Sequence, residues 1–341
     1  HNYKHNNGAL DLWADGNDVY HVMVRNCLFL WGVDETLATN TDKGENGNRM
    51  DNITFMDNII AEAARYVPGD SSDRGFGGYY VRRTHRVESC RNFWAGNRNR
   101  NPGTAECCSI AFVNEYNYDR GSNCVRRVKH NWDNFYEYET PVGGTFTTVG
   151  NTGERGPNTY TEQDVYIQHF GMAGGAILGD RKFYADELID GVPTYYDPNE
   201  EEQEILADPP LWPRHNFLPR EDMATHILAH AGPWPGDRAS TEQRIIDTWQ
   251  AGGGLHYFTP EDRKPLANFP DTPIAPTSGQ PPSLPANPFD LDTNGLTVIE
   301  NWLEQQHIAV GGAPYQDFGR WLRFPWGGRV KIETSGTATF D

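Results

Sequence analysis

The sequence predicts an all-β protein: a solenoid of short parallel strands, a parallel β-helix, over residues 1–180, followed by an irregular, partly helical tail over residues 181–341. Two observations carry this reading. A strand motif recurs four times in the first 120 residues, with a similar polar mark after each copy. Beyond about residue 150 no repeat is evident; Pro and acidic residues become frequent and helical periodicity appears.

The repeats come first in the chain. Residues 21–29 (HVMVRNCLF), 52–60 (NITFMDNII), 84–94 (THRVESCRNFW) and 109–116 (SIAFVNEY) each read as a short strand of alternating apolar residues, a small polar residue and an apolar pair. The polar marks fall near Cys27, Asn58, Asn92 and Asn114, about 22 to 34 residues apart. A fixed strand core with a variable period is what solenoid coils with unequal loops produce. Asn side chains at equivalent turns are expected to stack into a hydrogen-bonded ladder, with Cys27 on a buried rung, while residues 39–51 and 66–75 project as loops. A β-sandwich also has short strands with Gly and Asn turns, but the recurring polar mark favours the solenoid.

The tail opens with an acidic arm at 197–213 and then offers three helices. Residues 221–231 carry Met223, Ile227 and Leu228 at helical spacing and stop at Gly232. Residues 240–251 begin with a capping box, Ser240 with Gln243, and end in three glycines. Residues 296–306 are amphipathic and follow a Pro-rich linker at 270–288. The tail is expected to pack along the solenoid or cap it.

With 341 residues, 37% of them hydrophobic, the chain can bury a sizeable core without disulfides. No apolar run approaches the ~18 residues of a membrane span. The first residue is His1 and no signal-like segment follows, so the chain is expected to be a processed product or fragment. A net charge of −18 argues against nucleic acid or an anionic membrane as partner. The charge is segregated: residues 74–130 hold 11 basic and 4 acidic residues, a net +7 inside a chain otherwise at −25. Because salt screens charges beyond about 8–10 Å, a local basic surface suits a polyanionic ligand. Five cysteines, none in a CxxC pair, and a sequon at Asn52-Ile53-Thr54 lean towards an extracellular protein.

Taken in order, residues 7–12 (NGALDL), 22–29, 31–35 (WGVDE), 52–62, 74–78 (RGFGG), 92–102 (NFWAGNRNRNP) and 112–114 resemble the motif series of the pectate lyases. Residues 226–249 are similar to the segment that follows the β-helix in secreted bacterial members. The resemblance spans about residues 7–117 and 220–305; since the family normally has further coils before this point, it implies that N-terminal coils are lacking, and that the chain either pairs with or assembles onto a missing piece or is a divergent member with altered calcium use. It implies a right-handed parallel β-helix, secretion, and calcium-assisted β-elimination of an acidic polysaccharide, a 4-linked polyuronate such as pectate. The chemistry has its own logic. Elimination removes the C5 proton, α to a carboxylate, so developing negative charge needs cations beside it and a basic side chain must take the proton.

The resemblance assigns the residues. Arg100, in Arg-Asn-Pro, matches the arginine taken as proton acceptor in the family. An arginine is ordinarily protonated, so that role requires positive potential and partial desolvation around it. The family's second arginine is Ala105 here, which leaves substrate binding to Arg98, Arg82 and Arg83. Asp11, Asp34, Glu35 and Glu62 match carboxylates expected to hold Ca2+. Two departures stand beside them: Asn7 replaces the first acid of an Asp-Gly-x-x-Asp motif, and Arg25 stands where members carry Asp before His-Cys. A second calcium candidate in the tail, Asp290, Asp292 and Asn294, has EF-hand spacing, but its acid Glu300 falls one position early. Two other readings are open. A glycoside hydrolase on the same fold would use paired carboxylates, and no such segment is present. A non-catalytic β-helix, binding carbohydrate or forming a filament or surface layer, is favoured by Asn7, Arg25 and Ala105. In either case Trp94, Tyr116 and Trp132 are candidates for stacking on sugars.

Overall fold

The computed structural model describes residues 8–14, 17–32, 34–41, 49–64, 74–81, 84–105, 108–121, 125–129, 144–159, 167–171, 181–185, 188–189, 192–193, 204–205, 215, 217–233, 235–236 and 238–255, with scattered residues and three short strands after them. Its strands, in chain order, are β1 (Leu10–Ala14), β2 (Val19–Arg25), β3 (Leu28–Leu30), β4 (Glu35–Thr41), β5 (Met50–Met56), β6 (Ile59–Ala61), β7 (Phe76–Tyr80), β8 (Thr84–Cys90), β9 (Phe93–Ala95), β10 (Gly103–Ala105), β11 (Ser109–Val113), β12 (Tyr116–Tyr118), β13 (Val125–Lys129), β14 (Thr145–Val149), β15 (Thr152–Glu154), β16 (Ile167–Gly171), β17 (Arg181–Ala185), β18 (Leu188–Ile189), β19 (Val192–Pro193) and β20 (Glu204–Ile205). They form three sheets, β1-β4-β7-β10-β13-β16, β2-β5-β8-β11-β14-β17-β20 and β3-β6-β9-β12-β15-β18-β19, parallel throughout except for β18 with β19. As far as β18 the chain visits the three sheets in rotation, so each strand pairs with the strand three places on. The parallel sheets run past residue 180 to β20. A small antiparallel sheet joins Trp321–Arg323, Arg329–Ile332 and Ala338–Phe340.

Repeated backbone geometry explains how short strands turn from sheet to sheet. The single residue that begins the turn from second sheet to third takes a left-handed conformation at Asn26, Asp57, Arg91, Asn114 and Gly150, with φ between 51° and 64°. The residue leaving the third sheet does the same at Trp31, Glu62, Gly96 and Asp119. A third set, His21, Asn52 and Arg86, lies at one register position inside β2, β5 and β8. Asn and Asp tolerate this region best; at Arg91 or Trp31 it costs about 1–2 kcal/mol, which the surrounding packing must exceed.

The expected ladder is present, with two corrections, the first being that Cys27, expected on a buried rung, is half-buried. Cys27 N–H donates to Asn58 Oδ1 (2.9 Å), Asn58 N–H to Asn92 Oδ1 (3.0 Å), Asn92 Nδ2 to Glu115 Oε1 (3.1 Å) and Glu115 N–H to Asn151 Oδ1 (2.7 Å). The fourth rung is therefore Glu115. Asn114, the residue the repeat suggested, occupies the left-handed corner before it and bonds Leu218 instead: Asn114 Nδ2 donates to the Leu218 carbonyl and Leu218 N–H to Asn114 Oδ1, both at 2.8 Å.

Inside the sheets, columns such as Val22, Ile53, Val87, Ile110 and Phe146 follow the register, and Phe55, Tyr80, Phe112 and Phe146 form a run of aromatic contacts 5.3–5.8 Å apart. The outer face of the third sheet is apolar too. Ile59, Ala61, Phe93, Ala95, Tyr116 and Tyr118 are covered by α1 (Met223–His230) and α2 (Ser240–Gln250) through Met223, Ile227, Ile245, Ile246 and Trp249. Each large side chain buried here contributes about 1.5–3 kcal/mol, which accounts for the tail docking as expected. Arg238 adds a cap, donating to the Ile227, Leu228 and Ala231 carbonyls at the end of α1. The predicted capping box does not form: Ala239 is the N-cap of α2, Ser240 is its first helical residue, and the Gln243 side chain bonds Asp247. Of residues 296–306, the four described ones, 298, 301, 302 and 305, are helical. Most of the acidic arm at 197–213 lies outside the described residues; β20 falls within it. Among the described residues no helix is long and apolar enough to cross a membrane.

Candidate functional site

The outer face of the first sheet carries a cleft of about 350 Å3 across β1, β4 and β7. Strand alternation builds it. Asp11 and Trp13, two residues apart on β1, point to the same face, and their register partners Ala38 and Asn40 on β4, with Tyr79 and Val81 beyond, continue the floor. Asp34 and Glu35 enter at the start of β4 and Arg74 just before β7, while Arg100 arrives from the turn after the third sheet. Residues 99–100 run beside the start of β7: Gly77 N–H donates to the Asn99 carbonyl (2.9 Å) and Gly78 N–H to that of Arg100 (2.7 Å). A Cβ on Gly77 would lie 2.7 Å from the Arg100 carbonyl oxygen, so this close approach requires glycine. Arg100 itself has φ 57° and precedes a cis Asn101-Pro102 bond.

Five charged side chains converge in the cleft. Arg74 Nη1 lies 2.6 Å from Asp34 Oδ2, and Arg100 is ion-paired with Glu35. The Arg100 guanidinium also lies between two rings, 4.1 Å from the Phe76 centroid and 4.3 Å from that of Tyr79, which fixes its direction. Asp11 accepts the Gly8 N–H at 3.3 Å. Its carboxyl is raised above the ordinary value by burial and, after the opposing Gly8 bond, by the Asp34 charge. Trp13, 51% exposed, supplies an apolar wall.

The structure thus brings Asp11, Asp34, Glu35 and Arg100 together and places the other sequence candidates elsewhere. Glu62 is fully buried at the far side of the third sheet, where Arg244 of α2 binds both its oxygens at 2.7 Å and Trp31 Nε1 donates to it. It acts there as a fastener for α2, and its turn position after β6 separates it from the cleft. Arg98 does not line the cleft; its N–H donates to the Gly75 carbonyl. Arg82, Arg83, Asp292, Asn294, Asn7 and Trp132 lie outside the described residues. Asp290 is exposed in a bend, with its N–H on Asn287 and its carbonyl accepting from Val298. Ala105 is buried against Tyr79. Trp94 is buried in the interior and Tyr116 against α2, so neither offers a ring to a sugar.

Arg25 is buried too, 3.5 Å from Asp57, in a group that also contains Arg91 and His226. Burial pushes the Asp57 carboxyl up, but Arg91, His226 and Arg25 together hold it well below the usual carboxylate range. Arg74, Trp13, Phe76 and Tyr79 were not among the sequence candidates. Their signals were the alternation of β1, which pairs Trp13 with Asp11, and the position of Arg74 at the head of the glycine-rich β7 segment. No protein-family model matches the chain, and no curated protein matches it.

The donors are of the oxygen type that calcium takes, with Asp34 and Glu35 paired to Arg74 and Arg100 in this structure. Asp11, Asp34 and Glu35 give hard carboxylate oxygens, and among the described residues lining the cleft there is no thiol or imidazole.

Proposed function

We propose that the chain is a right-handed parallel β-helix of the pectate lyase type, and an extracellular lyase that cleaves a 4-linked polyuronate such as pectate by β-elimination in the cleft of the first sheet. The rotation of the chain through three parallel sheets supports the fold. The observation that carries the activity is the convergence of Asp11, Asp34 and Glu35 with Arg74 and Arg100 in one cleft. Asp11, Asp34 and Glu35 would hold Ca2+, which supplies positive charge beside the substrate carboxylate.

The chain's own residues do the rest. Arg74 offers its planar fork to a uronate carboxylate. Of the other arginines that the resemblance assigns to substrate binding, Arg98 stands off the cleft lining, and Arg82 and Arg83 lie outside the described residues. Arg100, which lies over Phe76 and Tyr79, acts only as the neutral guanidine: once Glu35 turns from it to Ca2+ and the positive potential of the ion and Arg74 acts on it, it gives a proton to water and then takes the C5 proton. The C5–H electron pair becomes the C4–C5 double bond, the C4–O bond breaks, and the departing oxygen takes a proton from water.

One observation favours the non-catalytic reading: both arginines already have carboxylate partners, as suits a surface that exchanges them for uronates without turnover. The two readings separate on the ultraviolet absorbance of unsaturated product from polygalacturonate. The lyase gives a calcium-dependent signal, abolished by chelator and reduced about 10²–10⁴-fold in Arg100→Ala. Calcium-dependent binding without product, from folded protein, supports the non-catalytic surface.

A further inference from the structure

We propose that Glu88, Cys90 and His215 form a binding site for a borderline-soft divalent cation of the zinc type, separate from the cleft, which ties the tail to the outer face of the second sheet. Glu88 and Cys90 lie two residues apart on β8 and so share a face. It is the outer face, since the intervening Ser89 bonds the core residue Tyr80 at 3.0 Å and Val87 belongs to the core. His215 comes from 127 residues downstream of Glu88 and covers the pair. Its backbone N–H lies 3.1 Å from one Glu88 oxygen and its Nδ1 2.9 Å from the other.

One ligand atom from each residue lies within 4.8 Å of the other two. The three residues are only 1–2% exposed, and Phe217 packs beside Cys90 over the same patch. A carboxylate, an imidazole and a thiol gathered away from water carry a desolvation cost that a divalent cation offsets. Tetrahedral coordination at zinc bond lengths sets ligand atoms roughly 3.3–3.7 Å apart, so closure needs a shift of about 1 Å. Mixed oxygen, nitrogen and sulfur donors select Zn2+ or Co2+ over Ca2+ and Mg2+. Among the described residues no fourth His, Cys, Asp or Glu joins the group, which leaves the last position to water.

The test is cobalt and zinc binding by the whole chain after stripping with chelator. The expected result is one ion per chain, a visible tetrahedral Co2+ spectrum with a thiolate charge-transfer band, and a zinc-dependent rise in Tm. Cys90→Ser should lose the charge-transfer band, His215→Ala should lose the zinc-dependent rise, and Cys27→Ser should keep both. Folded wild-type protein that takes up neither metal stoichiometrically overturns the proposal without reference to any variant, as does a charge-transfer band that survives Cys90→Ser. Either result leaves Glu88 and His215 as a docking pair only.

Discussion

Replacing Asp57 by Asn should destabilise the protein severely although the change keeps the shape of the side chain. The Asp57 side chain is 0% exposed; Arg25 Nε lies 3.5 Å from one oxygen, Arg91 Nε 3.7 Å from the other, and both arginines are 1–2% exposed. At an effective dielectric of about 20, each pair at these distances is worth roughly 4–5 kcal/mol. Part of that is returned when the desolvated carboxylate is removed, and measured losses on breaking buried pairs are about 3–5 kcal/mol. For a domain of this size such a loss lowers Tm by roughly 10 °C. Asp51→Asn provides the contrast, because its partner Arg86 is 64% exposed and surface pairs are worth about 0–1 kcal/mol. Urea unfolding followed by tryptophan fluorescence measures both. Equal, small shifts in the two variants would refute the claim that the Arg25–Asp57–Arg91 group is a mutually dependent buried unit.

Glu115 is raised to about 7 by burial, against the hydrogen bonds from Ser89, Trp94 and Asn92. A raised carboxyl contributes stability that is present below its unfolded value and lost as pH rises through about 7, a loss of roughly 3 kcal/mol. The fall in unfolding free energy between about pH 4.5 and 7 should therefore flatten in Glu115→Gln; an unchanged slope places the titration elsewhere. His226 is lowered by burial despite its bond to Asp57, so its contribution is present above the unfolded histidine value and is lost as pH falls through the lower folded value. An acid titration of Trp249 fluorescence should show α1 and α2 loosening, and His226→Gln should remove that step. Glu62→Gln should loosen α2 and leave calcium binding intact, whereas Asp34→Asn should weaken calcium binding; calorimetric titration separates the two.

Much of the first half was legible because a repeat is a local signal that recurs. Alternating apolar residues fixed the strands of the second sheet, and the polar mark fixed the corner to within one residue. The miss at Asn114 has a physical cause: Asn suits both a left-handed corner and a ladder rung, and Glu115, a charged residue, does not look like a rung until its burial and neighbours are seen. The capping box failed for a similar reason, since the helix begins at Ser240 itself, one residue earlier than an N-cap serine there implies. In the site, Asp11, Asp34, Glu35 and Arg100 were legible only through the family resemblance; the register of the first sheet brings β1, the start of β4 and the turn before β10 to one face although their spacing in sequence is unequal. Glu62 had the same sequence credentials, but a partner 182 residues away, Arg244, decides its place. Long-range pairings of that kind, with His215–Glu88 and His226–Asp57, leave no trace in local pattern.

The central claim is that the first-sheet cleft breaks a uronan by elimination, and the mass of the product ends tests it most directly. Oligogalacturonate incubated with folded protein and calcium should yield fragments whose new non-reducing ends are unsaturated, with no water added. Fragments carrying the added water, or an intact substrate, would contradict the account.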